Sequence, residues 1–273
     1  MKNIHWDRNA INDLIHELRS FLCVGLDTDI EKLPKHLGKT PAAMLEFNRR
    51  IVDKTLPFTV AYKINTAFYE PLGPDGWHVI EESIQYIKSL NRFIILDAKR
   101  GDIGNTSTMY AKAAFEQLNA DAVTVSPYMG SDSVKPFLAQ NGKWTIVLAL
   151  TSNEGAQDFQ LKKLESGKFL FEEVLELTKS WGTNDNMMFV TGATKSEYFH
   201  TIRSILPHHF LLVPGVGAQG GNLEELLAYG ATIEGDLLIN ASRSIIYASV
   251  DQDFDQAAST EAQYLQKIMS KFV

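Results

Sequence analysis

The strongest constraint on the fold is a rhythm. Eight short, almost wholly apolar runs recur along the 273 residues, and a stretch with helical spacing follows each one. The runs are Phe21–Asp27, Phe58–Ile64, Phe93–Lys99, Ala122–Ser126, Trp144–Leu150, Met187–Gly192, Phe210–Gly215 and Leu237–Ala241. Apolar residues at successive positions, without alternation, suit strands covered on both faces, as in a parallel sheet. Between them Ala42–Lys54, Gly76–Leu90, Thr106–Leu118, Asp132–Gln140, Phe169–Lys179, Ser196–Leu206 and Leu223–Tyr229 carry apolar side chains at helical intervals. A last helix is expected near Ala257–Lys271, and an extra one, Asn9–Leu18, precedes the first strand. Strict alternation predicts an α/β chain closed into a (β/α)8 TIM barrel with an added N-terminal helix. No linker-like Pro, Gly or Ser run divides residues 1–273, so a single domain is expected. The longest irregular connection, Asn153–Gly167, reads as a lid candidate.

Composition narrows the class. With 45% hydrophobic and 22% charged residues the chain can bury a sizeable core. Its net charge of −7 argues against a general binder of nucleic acid or membrane surfaces, while leaving room for a local basic pocket. Cys23 is the only cysteine, so no internal disulfide forms and a reducing compartment fits. The start, Met1 to Asp7, lacks the apolar core of a signal peptide, and no stretch nears the roughly 20 apolar residues of a membrane span. A cytoplasmic enzyme or binding protein is the expectation.

In such barrels the site lies at the C-terminal ends of the strands. The unusual polar residues fall there: Asp27 after the first run, Lys63 at the second, Asp97 and Lys99 at the third, Thr151 and Ser152 after the fifth, Asn240 and Arg243 at the eighth. The densest group is Asp97-Ala98-Lys99-Arg100-Gly101-Asp102. Residues two apart on a strand share a face, so Asp97 and Lys99 leave it side by side. A rim salt-bridge network would add little stability. Alternating charges from Lys63, Asp97, Lys99 and Asp102 converging on one pocket instead suit the handling of a proton on carbon. Carboxylates beside an ammonium favour its charged form, whereas a Schiff-base lysine needs the opposite. Lys99 therefore reads as a proton donor or electrostatic group, not an imine former.

After the seventh run comes Pro214-Gly215-Val216-Gly217-Ala218-Gln219-Gly220-Gly221. Its glycines let backbone N–H groups approach an oxyanion, and barrels often bind phosphate with the loops after strands seven and eight. Arg243 would add a bidentate contact to the same group. The embedded G-x-G-x-x-G lacks the βαβ context of a dinucleotide fold. Asp27 suits either a strand-end cap or hydrogen bonds to sugar hydroxyls, Thr106 an N-cap or a ligand contact, and Ser152 a turn or a ligand contact. The histidines show no paired metal-ligand spacing, His208-His209 reads as a surface turn, and the acids are too dispersed to define a divalent-ion site, so no metal is expected.

Taken together, these residues resemble the orotidine 5′-phosphate decarboxylase family, in its longer bacterial subgroup (type 2). The pieces are Gly-Leu-Asp27, Tyr-Lys63-Ile-Asn, Asp97-Ala-Lys99-Arg-Gly-Asp102-Ile, Leu-Thr-Ser152-Asn, Pro214-Gly-Val-Gly-Ala-Gln219-Gly-Gly and Ser242-Arg243. They stand in family order from the first strand to the last. The extra length falls in Thr28–Thr40 and Asn153–Gly167. The resemblance implies a carboxy-lyase that converts orotidine 5′-phosphate to UMP and CO2, the last step of de novo pyrimidine biosynthesis, without metal or organic cofactor. It implies that Lys63, Asp97, Lys99 and Asp102 form the charged tetrad, with Lys99 giving the proton to C6. It also implies a homodimer in which Asp102 and Thr106 reach the partner's site. Asp27 would then bond the ribose, Ser152 the pyrimidine, and Gln219 and Arg243 the phosphate, while Pro214 lines the base pocket. Two other readings stay open on the residues alone. One is a Mg2+-dependent sugar-phosphate decarboxylase or synthase of the same superfamily; the other is a non-catalytic nucleotide-binding barrel.

Overall fold

A strand that is apolar at every position has no face to offer water, and each such segment in this chain is buried along most of its length. The computed structural model describes residues 5–216 and 223–273. In it eight parallel strands close a barrel in sequence order. They are β1 (Leu22–Gly25), β2 (Ala61–Asn65), β3 (Phe93–Arg100), β4 (Ala122–Val125), β5 (Trp144–Leu150), β6 (Met187–Thr191), β7 (Phe210–Pro214) and β8 (Leu237–Ala241). Pairing of Leu22 with Ile239 and Cys23 with Asn240 closes the ring.

The surrounding helices are α1 (Arg8–Leu18), α2 (Pro41–Thr55), α3 (Pro74–Ser89), α4 (Gly104–Lys112), α5 (Ser131–Leu138), α6 (Ala156–Phe159), α7 (Leu170–Thr178), α8 (Phe199–Ile205), α9 (Leu223–Gly230), α10 (Arg243–Ile246) and α11 (Phe254–Met269). No helix among the described residues is long and apolar enough to cross a membrane.

Several boundaries differ from the sequence reading, each for a local reason. β2 starts at Ala61 rather than Phe58, because Leu56–Phe58 form a 3-10 turn around Pro57, which has no N–H to give a ladder. α3 starts two residues earlier than expected, with Pro74 at its first position, where the missing donor costs nothing. The helix expected to Leu118 ends as α4 at Lys112 and continues as one π turn, Ala113–Gln117. The connection Asn153–Gly167 is less irregular than it reads. It holds α6, and Gln160 beyond it bonds both the backbone N–H (2.7 Å) and the hydroxyl (2.9 Å) of Thr151. The His208–His209 turn is not wholly at the surface. His209 tucks inward against Phe189, ring centroids 5.5 Å apart.

The added helix α1 seals the end of the barrel opposite the strand C-termini. Arg8 pairs with Asp236 at 2.6 Å, just before β8, and the Trp144 indole at the start of β5 donates to the Trp6 carbonyl at 2.7 Å. Arg203 adds bonds to the carbonyls of Gly230, His209 and Asp236 at 2.7 to 2.9 Å. Charge at that end is spent on closure. The other end stays open.

Candidate active site

Four charged side chains meet at the C-terminal mouth, and the barrel register decides their order. Gly25 pairs with Lys63, which brings the end of β1 beside β2, and Asn65 pairs with Asp97, which sets β3 next to it. The result is an alternating row. Lys63 Nζ lies 3.2 Å from Asp27 Oδ1 and 2.9 Å from Asp97 Oδ2, and Lys99 Nζ lies 2.7 Å from Asp97 Oδ1. Burial raises the Asp97 carboxyl, but the ammoniums of Lys63 and Lys99 outweigh it and hold the group well below the usual carboxylate range. Burial likewise lowers Lys63, and Asp97 and Asp27 overcome it, leaving the amine above its usual range. Cys23, beneath the row on β1, is pushed up to about 12 by burial, so its thiol stays protonated.

The row lines one side of a cavity of about 400 Å³. Leu148, Val190, Leu212 and Pro214 give that cavity an apolar side, while Ser152 and Arg243 add polar groups at its edge. Two glycines set those edges. A Cβ at Gly192 would lie 2.7 Å from the backbone nitrogen of Ser152, so only glycine lets β6 approach that loop. A Cβ at Gly25 would lie 2.8 Å from the Cβ of Ser242, whose hydroxyl donates to the Gly25 carbonyl at 3.0 Å and fixes the start of α10, where Arg243 stands. An apolar slot, an ammonium on a fixed carboxylate and an arginine at one end suit a flat ring carrying an anionic tail.

Of the residues singled out from sequence, Asp27, Lys63, Asp97, Lys99, Ser152, Pro214 and Arg243 line this cavity. Asp27, rather than Asp102, supplies the outer carboxylate of the row within this chain. Asp102 and Thr106 are not among the lining residues; Asp102 is half-buried and Thr106 exposed. Gln219 lies outside the described residues. Among the described residues, no group of three or more His, Cys, Asp or Glu is placed to hold a metal ion.

Two contributors had no clear sequence signal. Thr124 on β4 donates to Asp97 Oδ1 at 2.8 Å, and a β-branched residue in a strand reads as an ordinary strand former. Tyr247, after α10, accepts from the Asp29 N–H at 2.7 Å and donates to the Asp27 carbonyl at 3.5 Å, tying the Thr28–Thr40 segment to the edge of the site.

Comparison with known proteins agrees over nearly the whole chain. The family model described as orotidine 5′-phosphate decarboxylase / HUMPS family matches residues 20–255. The orotidine 5′-phosphate decarboxylase of Phocaeicola vulgatus is 53% identical over 269 residues, covering 98% of this chain and 99% of the relative. The solved structure of Leishmania donovani OMP decarboxylase superposes with a TM-score of 0.80 at 37% identity, covering 95% of this chain and 98% of that one. Leishmania donovani UMP synthase gives a TM-score of 0.81 at 38% identity, covering 93% of this chain, which spans 56% of that longer protein.

Proposed function

The chain belongs to the orotidine 5′-phosphate decarboxylase / HUMPS family, and from that premise we propose that it decarboxylates orotidine 5′-phosphate to UMP and CO2, the last step of UMP biosynthesis. The observation that carries the reading is the row Asp27–Lys63–Asp97–Lys99 facing an apolar slot. Breaking the C6–carboxylate bond leaves its electron pair on C6 with no adjacent sink. Catalysis then rests on charge already in place when the carbanion forms. Lys99 stabilises that charge and delivers its proton to C6. Lys63 fixes Asp97, which in turn aims Lys99, and Asp97 faces the departing carboxylate. Arg243, with Gln219 and the glycine loop, holds the phosphate and supplies binding energy remote from the bond that breaks. Asp27 takes the ribose hydroxyls, Ser152 the pyrimidine edge, and Pro214 packs on the base.

The same reading gives Asp102 and Thr106 a place in the site of a second copy. The same segment carries exposed apolar side chains, Ile103 just before α4 and Met109 and Tyr110 along it, and the loop after β4 adds Tyr128 and Met129. Tyr128 is 85% exposed, a poor state for a large ring in a protein that works alone. We assign this patch to a homodimer in which each copy lends Asp102 and Thr106 to the other. Mixing inactive Lys99→Ala with inactive Asp102→Ala protein should then restore activity. Mixtures as inactive as their parts would reject the shared site.

The direct test follows orotidylate absorbance on adding purified protein, with and without chelator. Turnover insensitive to chelator is expected. Lys99→Ala should nearly abolish it while UMP still binds. Unchanged absorbance with the wild-type protein would overturn the assignment, and loss of turnover with chelator would favour the metal-dependent sugar-phosphate reading.

A further inference from the structure

Between β3 and β4 the ladder skips. Leu96 pairs with Val123 and Arg100 with Val125, so Asp97, Ala98 and Lys99 stand opposite Thr124 alone. This bulge gives β3 the slack to carry two charged side chains to the mouth, but it removes their regular backbone partners on the β4 side. Lys99 also takes a left-handed backbone, φ 45°, which a residue with a side chain adopts at a cost of about 1 kcal/mol or more. Something must hold it there.

Among the described residues, Thr124 is the side chain that bonds both the Lys99 backbone and the Asp97 carboxylate. Its hydroxyl, on a residue 1% exposed, accepts from the Lys99 backbone N–H at 2.9 Å and donates to Asp97 Oδ1 at 2.8 Å. A hydroxyl has one proton to give. The Lys99 backbone N–H can only donate, so the hydroxyl proton is directed at Asp97. The same Asp97 oxygen receives the Lys99 ammonium at 2.7 Å, and its twin receives Lys63 at 2.9 Å. One buried oxygen thus locks the bulged backbone and the carboxylate that aims the ammonium.

We propose that Thr124 is a positioning residue for the decarboxylation, acting through the Lys99 backbone and the Asp97 carboxylate to place the Lys99 ammonium at the reacting carbon. The inference rests on the decarboxylase reading. Substrate binding, set by the phosphate and ring contacts, is largely independent of it. Loss of the hydroxyl should therefore appear in kcat and not in KM, because a misplacement of about 1 Å can cost on the order of 100-fold in rate.

The test compares Thr124→Val, which keeps the shape without the hydroxyl, with Thr124→Ser, which keeps the hydroxyl, and Thr124→Ala, which lacks both hydroxyl and branch. Steady-state kinetics with orotidine 5′-phosphate should show kcat reduced about 10- to 100-fold in Thr124→Val and Thr124→Ala, with KM within about threefold. Thr124→Ser should recover most of the rate. If Thr124→Val fails to fold, the Ala and Ser pair decides. Equal kcat for wild type and the hydroxyl-free variants, or Ser no better than Ala, would overturn the inference. Were the wild type itself inactive on this substrate, the decarboxylase reading would fall instead, which keeps the two failures distinct.

Discussion

Removing one member of the charged row tests whether its charges were placed by mutual pairing. Lys63 and Asp97 are 5% and 8% exposed at the side chain and 2.9 Å apart. At an effective dielectric near 20, two unit charges at that distance attract by about 6 kcal/mol, most of which repays desolvation. Near neutrality both groups are charged and both contributions are present in full. The Asp97 contribution is present above the ordinary carboxylate range and lost as pH falls through its depressed value; the Lys63 contribution is present below the ordinary lysine range and lost as pH rises through its raised one. Asp97→Asn leaves Lys63 with Asp27 alone at 3.2 Å, and Lys63→Met leaves Asp97 with Lys99 and Thr124. Breaking a buried pair from one side costs about 3–5 kcal/mol, whereas removing both partners strands neither charge. Urea unfolding at neutral pH should thus find the double variant more stable than the sum of the single losses predicts, by about 2–4 kcal/mol. Additivity within about 0.5 kcal/mol would show that solvent, not the partner, satisfies each charge, and would refute the row as a coupled unit.

Three further changes probe the surroundings. Arg243→Ala should lower kcat/KM for orotidine 5′-phosphate by about 10- to 100-fold, the scale of charge-assisted hydrogen bonds at about 1.5–3 kcal/mol, and an unchanged value would remove its phosphate role. Gly192→Ala should push the Ser152 loop away, since the new Cβ would meet its backbone nitrogen at 2.7 Å, and lower kcat/KM by about tenfold or more; kinetics within twofold of wild type would show that the loop yields freely. His209 is held down at about 4, first by burial and then by the neighbouring Arg203, and neither ring nitrogen has a hydrogen-bond partner among the described residues. Its neutral form stabilises the fold above the ordinary histidine range, and that contribution is lost as pH falls from there to about 4, because the unfolded chain takes the proton first. His209→Phe should flatten thermal stability across that window, and an unchanged pH slope in thermal melts would assign the acid sensitivity elsewhere.

The barrel was legible because a strand covered on both faces must be apolar at every position, and β5 and β8 run over the same residues as predicted, Trp144–Leu150 and Leu237–Ala241. The charged mouth was legible for the converse reason: Lys63 and Asp97 interrupt apolar runs where only a paired charge survives. What resisted prediction depends on register. Asp27 reaches Lys63 only because Gly25 lies beside it across β1 and β2, a pairing between residues 38 apart in sequence. Thr124 meets Asp97 only because β3 bulges opposite it, and nothing in Ala122-Val123-Thr124-Val125 announces that. Pro57 was visible, but the apolar run around it masked the turn that delays β2 to Ala61.

Exposure within the row separates framework from reagent. Lys63, Asp97 and Asp27 are 5%, 8% and 17% exposed at the side chain, whereas Lys99 is 50% exposed. Two carboxylates and two ammoniums leave the row with no net charge to bury. The Lys63 ammonium also borders the cavity, but it is 5% exposed and held between two carboxylates. Lys99 is anchored at its tip by Asp97 and at its backbone by Thr124, yet half its surface still faces the slot and solvent. Of the two lysines it combines a fixed position with the greater access, which is what proton delivery to a carbon in the cavity demands.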